Sequence, residues 1–291
     1  MLFAAGDNPS DPSSANITSF RSDANGSLTK LGNVTAKGIY AVATEASGNF
    51  LYASAYVDAS NIGSPAPAMY GYAVDQSSGT LTPLPGSPWQ INHGASAGEL
   101  KVTSAYVCVN MALFKANVAI QCYPRHSDGT IDSVNYITPI STNQDIPGFD
   151  FTNDSTHVLY TDGAGNMVHS SAIANSPSSS EIPSGGLYSN GIAAYRGGKQ
   201  WAAVTNRDSG SVTIIELGTN ASMAGGPATP AGNQPNQPAF FESMSTQFTY
   251  LFSSTKDGTL VFSFDPSTGA LKPLNSGNPA PGTGVVAIMH I

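Results

Sequence analysis

The sequence predicts an all-β protein, a six-bladed β-propeller of four-stranded blades whose ring is closed by pairing the C-terminal strand with the N-terminal blade. Three observations predict this fold. The composition is that of many short strands and turns, because 30 Gly and 20 Pro accompany only 10% charged residues. An apolar segment recurs six times along the chain, and the chain ends on a segment of the type that precedes each of these repeats.

The recurring apolar segment sets the period of the repeat. Its six copies begin at intervals of 48, 56, 51, 43 and 49 residues, which is the spacing of propeller blades. Because these segments are apolar at consecutive positions, we expect strands covered on both faces by neighbouring sheets. The copies are Leu2-Phe-Ala-Ala, Phe50-Leu-Tyr-Ala, Tyr106-Val-Cys-Val, His157-Val-Leu-Tyr, Gln200-Trp-Ala-Ala and Thr249-Tyr-Leu-Phe.

Each repeat also carries a shared turn and a shorter strand before the apolar one. The turn is clearest in Phe264-Asp-Pro-Ser-Thr-Gly, where Asp, Ser and Pro start a tight turn and Gly supplies the positive φ that closes it. Shorter segments such as Pro147-Gly-Phe-Asp-Phe precede the apolar strands. The count is therefore four strands per repeat, in one domain over residues 1–291.

The charge balance and the lengths of the apolar stretches exclude two classes of partner. With 11 basic and 19 acidic residues the formal charge is −8, so the chain lacks the basic surface that binds nucleic acid. The longest apolar stretches are only a few residues, too short to cross a bilayer. We therefore predict a small-molecule partner, with neither nucleic acid nor membrane, and no cofactor.

The two cysteines and the sequons bear on the compartment. Cys108 and Cys122 fall on the second and third strands of one blade, where a disulfide and two free thiols remain equally open. No leader is visible, but the Ser- and Asn-rich loops favour a secreted fungal protein. Glycosylation sequons, about as many as chance yields, occur at Asn16, Asn25, Asn33, Asn153 and Asn220.

Propellers bind ligands where the first strands and the loops entering them converge. The candidate catalytic residues there are His93, Tyr136, Asn190 and Glu242, and the candidate substrate-binding residues are Trp89, Phe114, Tyr188, Phe240 and Phe241. The same neighbourhood also includes Glu99, Lys101, Asp145, Phe149, Asp150 and His290. For each aromatic residue, packing between blades is the alternative role.

The turn motif, Gly86-Ser-Pro-Trp89 and the run from Gly48 to Ser54 resemble the lactonase-like propeller family, which includes phosphogluconolactonase and carboxymuconate lactonizing enzyme. Members of that family usually have seven blades, whereas this repeat predicts six. The resemblance implies hydrolysis or formation of a lactone. A sugar-phosphate substrate is disfavoured because arginine and lysine are scarce.

Calcium-dependent lactonases with six blades suggest one alternative site. By that resemblance Glu99, Asp150 and Glu242 would hold a hard cation with Asn190 as the neutral ligand. The other interpretation is that these side chains are buried hydrogen-bond partners, and we predict no metal site.

In overall character the chain resembles the propeller-type hetero-Diels–Alderases of tropolone sesquiterpenoid pathways. That resemblance implies a cyclase joining a quinone methide to a macrocyclic sesquiterpene, with the five aromatic residues around the two π-systems. Tyr136, His93 or Asn190 would then hydrogen-bond the heterodiene carbonyl. The alternatives are a lactonase or lactonizing hydrolase that uses His93 and a carboxylate, with or without calcium, and a non-enzymatic binding propeller.

Overall fold

The computed structural model describes residues 2–6, 16–22, 28–36, 38–55, 68–91, 96–112, 118–173, 179–197, 199–218, 222–242, 249–279 and 287–288. These residues form two compact units, one of residues 1–143 with 285–291 and one of residues 144–284. Within these ranges no helix has the length and apolarity needed to span a membrane.

The first unit contains three antiparallel sheets. Two have four strands and the third has five, because β8 pairs with β6 through Met69 and Trp89. In the order of their strands the sheets are β25 (Ala287–Ile288), β1 (Leu2–Gly6), β2 (Asn16–Ser22) and β3 (Leu28–Thr35); β4 (Ile39–Thr44), β5 (Phe50–Ala55), β6 (Ala68–Val74) and β7 (Leu81–Pro83), with β8 (Trp89–Gln90); and β9 (Ser96–Val102), β10 (Tyr106–Ala112), β11 (Val118–Pro124) and β12 (Ile137–Thr142).

The second unit contains three antiparallel sheets of four strands each. Their strands follow one another in chain order, as in a meander. They are β13 (Phe149–Phe151), β14 (His157–Asp162), β15 (Met167–Ala172) and β16 (Ser179–Pro183); β17 (Ser189–Ala194), β18 (Trp201–Asn206), β19 (Ser211–Leu217) and β20 (Met223–Pro230); and β21 (Pro238–Glu242), β22 (Thr249–Thr255), β23 (Gly258–Asp265) and β24 (Ala270–Pro273).

These sheets are the four-stranded blades of an all-β propeller, as the repeat predicts. All six recurring apolar segments form the second strand of a sheet. The prediction of six four-stranded blades is wrong by one: five sheets have four strands. In the other, β7 and then β8 pair with successive parts of the same edge of β6, because a turn after Pro83 interrupts the pairing, and β8 counts as a fifth strand. Leu2 pairs with Ile288 and Phe3 with Ala287, but closure of a ring, like a single domain, stays a prediction.

The hydrophobic core of each unit lies between the faces of successive sheets. In the second unit, Leu159 and Val168 of one sheet pack with Ile192, Ala202 and Ile215 of the next, and all are fully buried. This arrangement explains why the second strands are apolar at consecutive positions: the strand Trp201–Asn206 is buried at every residue.

The repeated Asp-x-Ser turn joins the third strand of a sheet to the fourth. In the turn after β23, Asp265 Oδ1 accepts hydrogen bonds from Ser267 N at 2.9 Å and from Ser267 Oγ at 2.7 Å, and Oδ2 accepts one from Thr268 Oγ1. Asp75 binds Ser77 and Ser78 in the same way in the first unit. The side chain thus satisfies the backbone of a turn that has no partner strand.

The same turn docks on the second strand of the preceding sheet. Gly269 ends the turn with φ +76°, and a Cβ built there would lie 2.7 Å from the Trp201 ring. Trp201 Nε1 donates a hydrogen bond to the Pro266 carbonyl oxygen at 2.8 Å. The indole therefore packs flat on the glycine and is anchored to the turn, which joins two sheets of the second unit.

The two cysteines are bridged. Cys108 of β10 pairs directly with Cys122 of β11, and the sulfur atoms form a disulfide inside the sheet. Both residues are fully buried. The structure therefore selects the disulfide from the two alternatives that the sequence leaves open.

Gly269→Ala tests the docked turn. We expect it to lower the free energy of unfolding by about 2–4 kcal/mol, because the methyl group meets Trp201 and alanine disfavours the left-handed backbone. Gly277→Ala is the matched control: Gly277 has the same φ of +76° and nothing within 4 Å of its Cβ, so only the backbone cost of about 1 kcal/mol remains. Chemical denaturation measures both, and equal losses would contradict the packing role of Trp201.

Removal of the disulfide is expected to destabilise the first unit. A cross-link over a sequence separation of 14 residues should contribute about 3 kcal/mol. The double variant Cys108→Ala with Cys122→Ala should therefore unfold at a lower denaturant concentration than the oxidised protein. Reduction of the parent protein should reproduce the shift, and a midpoint that moves in neither case would exclude the contribution.

Acid should destabilise the protein through the turn aspartates. Hydrogen bonds from the Ser267 and Thr268 side chains hold the pKa of Asp265 below its usual range, and those from Ser77 and Ser78 do the same for Asp75. A carboxyl with a lowered pKa stabilises the fold above its unfolded pKa of about 4, and the contribution is lost as the pH falls through the folded value. The melting temperature should fall between pH 5 and pH 3. The decrease should be smaller for Asp265→Asn, because asparagine keeps a hydrogen-bond acceptor but does not titrate.

Candidate functional site

Each sheet of the second unit brings two kinds of segment to the same end. In an antiparallel meander, the segment that enters the first strand lies at the end where the second strand turns into the third. We call this the site end. Its described parts are the entering segments before β13, β17 and β21 and the turns at residues 163–166, 207–210 and 256–257.

Glycines let the first strands approach closely at the site end. A Cβ on Gly191 would lie 2.7 Å from Pro238 Cδ and 3.0 Å from the Asn236 carbonyl oxygen. A Cβ on Gly148 would lie 2.8 Å from the Asn190 carbonyl oxygen. Any larger residue would therefore push neighbouring first strands apart, and the entering segments of the three sheets lie side by side.

The entering segments and one turn build a charged cluster. Tyr188 Oη donates a hydrogen bond to Asp145 Oδ2 at 3.1 Å. The Arg207 guanidinium carbon lies 3.6 Å from the centre of the Tyr188 ring, and Arg207 Nε contacts Asp208 Oδ1 at 2.8 Å. We refer to Asp145, Tyr188, Arg207 and Asp208 as the Tyr188 cluster.

The surroundings set the protonation of the cluster. Burial and the neighbouring Asp145 carboxylate raise the pKa of the Tyr188 phenol, so it remains a hydrogen-bond donor at neutral pH. The hydrogen bond to Asp208 raises the pKa of Arg207, which stays a cation. The cluster therefore combines a fixed positive charge, a neutral phenol and two carboxyl groups.

The backbone holds Tyr188 in an unusual conformation. Its φ is +54°, a left-handed value that is costly for an aromatic residue. Tyr188 N donates to Asn166 Oδ1 at 2.5 Å, and the Tyr188 carbonyl oxygen accepts from Arg207 N at 2.8 Å. Strained backbone that its neighbours fix in this way is often found at functional sites.

A pair of amides lies beside the cluster. Asn190 Nδ2 donates to Asn236 Oδ1 at 2.8 Å, which links the entering segments of two successive sheets. Asn236 is exposed and Asn190 is partly exposed. Neutral donors and acceptors of this type bind hydroxyl or carbonyl groups of a ligand.

The structure does not gather the predicted aromatic residues into one pocket. Trp89 is 8% exposed and lies in the core of the first unit, and Phe240 packs with Tyr195 and Phe264 in the second. Phe241 is half-buried, with its ring 6.4 Å from that of Phe252. Tyr188 belongs to the cluster, where Arg207 covers a face of its ring.

The predicted catalytic residues are also dispersed. Tyr136 precedes β12, the fourth strand of its sheet, and its ring is tilted against that of Tyr123 with the centroids 5.5 Å apart. Its placement at a first strand was wrong because the turn after β11 is long. Asn190 is at the site end, as predicted. His93, Phe114 and His290 lie outside the described residues, as does the side chain of Glu242, whose backbone pairs with Thr249.

Two of the three carboxylates proposed for a cation, Asp150 and Glu99, have other partners, and the side chain of Glu242 lies outside the described residues. Asp150 Oδ1 pairs with Arg196 Nη2 at 2.6 Å, and Asp150 Oδ2 accepts from Ala194 N. Glu99 pairs with Lys101 at 3.0 Å. In the part of the chain that the structure describes, no three His, Cys, Asp or Glu side chains are grouped as metal ligands. The geometry therefore matches the alternative of buried hydrogen-bond partners.

Sequence reasoning missed Asp208, Asn166 and Asn236. The left-handed backbone of Asn166 and Tyr188 leaves no signal in a sequence without glycine at those positions. A sequence signal for Asp208 did exist, because Arg207-Asp208 and Lys256-Asp257 occupy the same turn in successive sheets. Aligning the repeats on that turn would have drawn attention to both pairs.

Comparison with known proteins identifies the fold. No protein-family model and no curated protein sequence matches the chain. A putative 6-phosphogluconolactonase from Bacteroides uniformis is similar, with a TM-score of 0.66 and 16% identity over 94% of this chain and 80% of that one. The periplasmic gluconolactonase of Pseudomonas aeruginosa gives a TM-score of 0.67 and 16% identity over 94% and 82%.

A further similar structure is not described as an enzyme. A chain of the nidogen/laminin complex gives a TM-score of 0.58 and 10% identity over 96% of this chain and 92% of that chain. At these identities the similarity concerns the fold alone. The structural neighbours of this chain thus include 6-phosphogluconolactonase-like and gluconolactonase-like β-propellers.

Proposed function

We propose that the protein is a lactonase-type hydrolase of small molecules and that the Tyr188 cluster is its active site. The observation that carries the proposal is the group of Asp145, Tyr188 and Arg207 at 3.1 and 3.6 Å at one end of the sheets. The similarity to gluconolactonase-like propellers favours the same chemistry. A carboxylate can take a proton from the attacking water, a guanidinium can stabilise the oxyanion that forms, and a phenol can orient the carboxylate by a hydrogen bond.

The reaction begins with water held by Asp145. Tyr188 occupies Asp145 Oδ2, so Oδ1 is the oxygen that accepts a proton from water as the water oxygen attacks the lactone carbonyl carbon. The tetrahedral intermediate then expels the ring oxygen, which takes the proton from Asp145. The direct products are a carboxylic acid and an alcohol in one open chain. The acid then releases its proton to bulk water and becomes a carboxylate, and Asp145 is left as it began.

Arg207 and the amides have a binding role in this scheme. The carbonyl oxygen becomes negative in the intermediate, and the nearby guanidinium stabilises that charge. Arg207 is held by its contact with the Tyr188 ring and by Asp208, so little reorganisation is required when the charge develops. Asn190 and Asn236 would bind hydroxyl groups of the substrate.

The cycloaddition proposal receives no support. It requires several aromatic rings free to enclose two π-systems, whereas Trp89 and Phe240 pack in hydrophobic cores. The three similar structures named above are not described as cyclases. Hydrolysis, the alternative that the sequence left open, therefore replaces cycloaddition as the proposed reaction.

A binding propeller without catalysis is the second candidate. The similarity to a chain of the nidogen/laminin complex favours it, because that structure is of a complex between proteins. This candidate predicts that substitutions in the Tyr188 cluster leave the rate of lactone hydrolysis unchanged.

We also propose an oxidising compartment for the protein. The buried disulfide between Cys108 and Cys122 supports it, because disulfides persist in secreted and periplasmic proteins and are rare in the cytosol of most organisms. A small lactone present outside the cytosol would then be the substrate. A thiol count on protein isolated from its native host tests this proposal, and two free thiols would exclude it.

Hydrolysis of glucono-δ-lactone, corrected for the uncatalysed rate, tests the proposed function. Asp145→Asn should lower kcat/KM by about 100-fold because it removes the proton acceptor. Tyr188→Phe should lower it by about 10-fold, since the ring still contacts Arg207 but no longer donates to Asp145.

Tyr160→Phe is the matched control for Tyr188→Phe. Tyr160 lies in the same unit, and its ring stacks on that of His169 with the centroids 4.7 Å apart. We expect its kcat/KM to equal that of the parent protein, with all variants melting within a few degrees of one another. Turnover by the parent protein that survives Asp145→Asn would place the active site elsewhere.

A further inference from the structure

Charge at the site end is unfavourable for an anion. Its described segments and the strand ends beside them carry four carboxyl groups, on Asp145, Asp162, Asp208 and Asp257, and two cations, on Arg207 and Lys256. The formal sum is therefore −2. A substrate that carries a phosphate would approach against this charge.

Asp208 has a special place in that balance. It contacts Arg207 Nε at 2.8 Å, so the cation of the Tyr188 cluster is already neutralised by a neighbour in its own turn. Asp208 N donates to the Leu187 carbonyl oxygen at 3.1 Å, and Gly210 N donates to the Arg207 carbonyl oxygen at 3.4 Å. These bonds fix the turn and keep the two charges together.

The other described Arg and Lys residues of this unit lie elsewhere, and Lys272 is opposite Ser263 in the fourth strand of its sheet. Arg196 binds Asp150 and the carbonyl oxygens of Phe151 and Thr152 at the opposite ends of the first strands. Lys199 pairs with Glu216 at 2.9 Å. A phosphate at the site end would therefore depend on Arg207 and Lys256, each of which is followed directly by an aspartate.

We propose that Asp208 is a specificity-determining residue that makes the site accept uncharged lactones and reject phosphorylated ones. The inference rests on the proposed function, since it names the substrate class of the same site. Asp208 forms an ion pair with Arg207, which would otherwise attract a phosphate, and its own carboxylate repels the phosphate. Arg207 stays in place to stabilise the single charge of the intermediate because the Tyr188 ring holds it.

The effect should be moderate because both side chains are partly exposed to water. Removal of one unit charge beside a doubly charged phosphate should change its relative binding by about fivefold to tenfold at low ionic strength. Salt should reduce the effect, whereas a change caused by altered packing would not depend on salt.

The experiment compares glucono-δ-lactone with its 6-phosphorylated form in the parent protein, Asp208→Asn and Glu216→Gln. The measured quantity is the ratio of kcat/KM for the two lactones. We expect the parent protein to prefer the uncharged lactone, and Asp208→Asn to shift the ratio by about fivefold toward the phosphorylated one in low salt. Glu216→Gln is the matched control: its side chain is as exposed as that of Asp208 and also pairs with a cation, Lys199, but it lies outside the site end, so we expect less than a twofold shift.

The outcomes separate this inference from the proposed function. A parent protein that prefers the phosphorylated lactone, or a ratio unchanged by Asp208→Asn, would overturn the inference and leave the proposed function standing. If neither lactone is hydrolysed, the proposed function fails, and calorimetric titration with 6-phosphogluconate decides the inference. Tighter binding to Asp208→Asn than to the parent protein would support it, and equal affinity would overturn it.

Discussion

Docking of a turn on the neighbouring sheet is the constraint on which each unit depends. The turn between the third and fourth strands of one sheet packs on the second strand of the sheet before it. In the second unit the turn glycine Gly269 packs on the ring of Trp201. In the first unit Gly129 packs on the ring of Phe50, and Tyr52 Oη also donates a hydrogen bond to the Gly129 carbonyl oxygen at 2.7 Å. Because a ring fits only over a glycine, each contact fixes one sheet relative to the next, and the apolar cores between the sheets close in that register.

The site end follows from the same register. Once successive sheets are fixed, their first strands meet, and Gly148 and Gly191 allow them to come within van der Waals contact. Polar side chains from different sheets then reach one another across the entering segments. The hydrogen bond between Asp145 and Tyr188 and that between Asn190 and Asn236 join segments that are 43 and 46 residues apart in the sequence. Repetition of the blade therefore assembles a site that no single blade contains.

Most of the fold, but little of the site, was predictable from the sequence. The apolar second strands and the Asp-x-Ser turns repeat because each blade has the same local requirements, so periodicity locates them. The fifth strand at Trp89 breaks the repeat, and periodicity therefore misses it. The Tyr188 cluster depends on left-handed backbone at Tyr188 and on contacts between blades, which single-sequence patterns do not encode. Asp145, Tyr188 and Asn190 could be named as candidates from the sequence because the start of a first strand is itself periodic.

The charges of this chain indicate function better than its aromatic residues do. Rings at Trp89, Trp201 and Phe240 are consumed by packing between sheets, because four-stranded sheets meet face to face and large apolar side chains fill the gap. Only 10% of the residues are charged, so the charged side chains can be sorted into a small number of roles. Some cap turns and others pair across strands, as Asp150 and Arg196 do. Asp145, Arg207 and Asp208 stabilise no core and cap no turn between third and fourth strands. Asp145 and Arg207 meet on Tyr188, and Asp208 pairs with Arg207, an arrangement that supports the proposed role of this cluster in ligand binding.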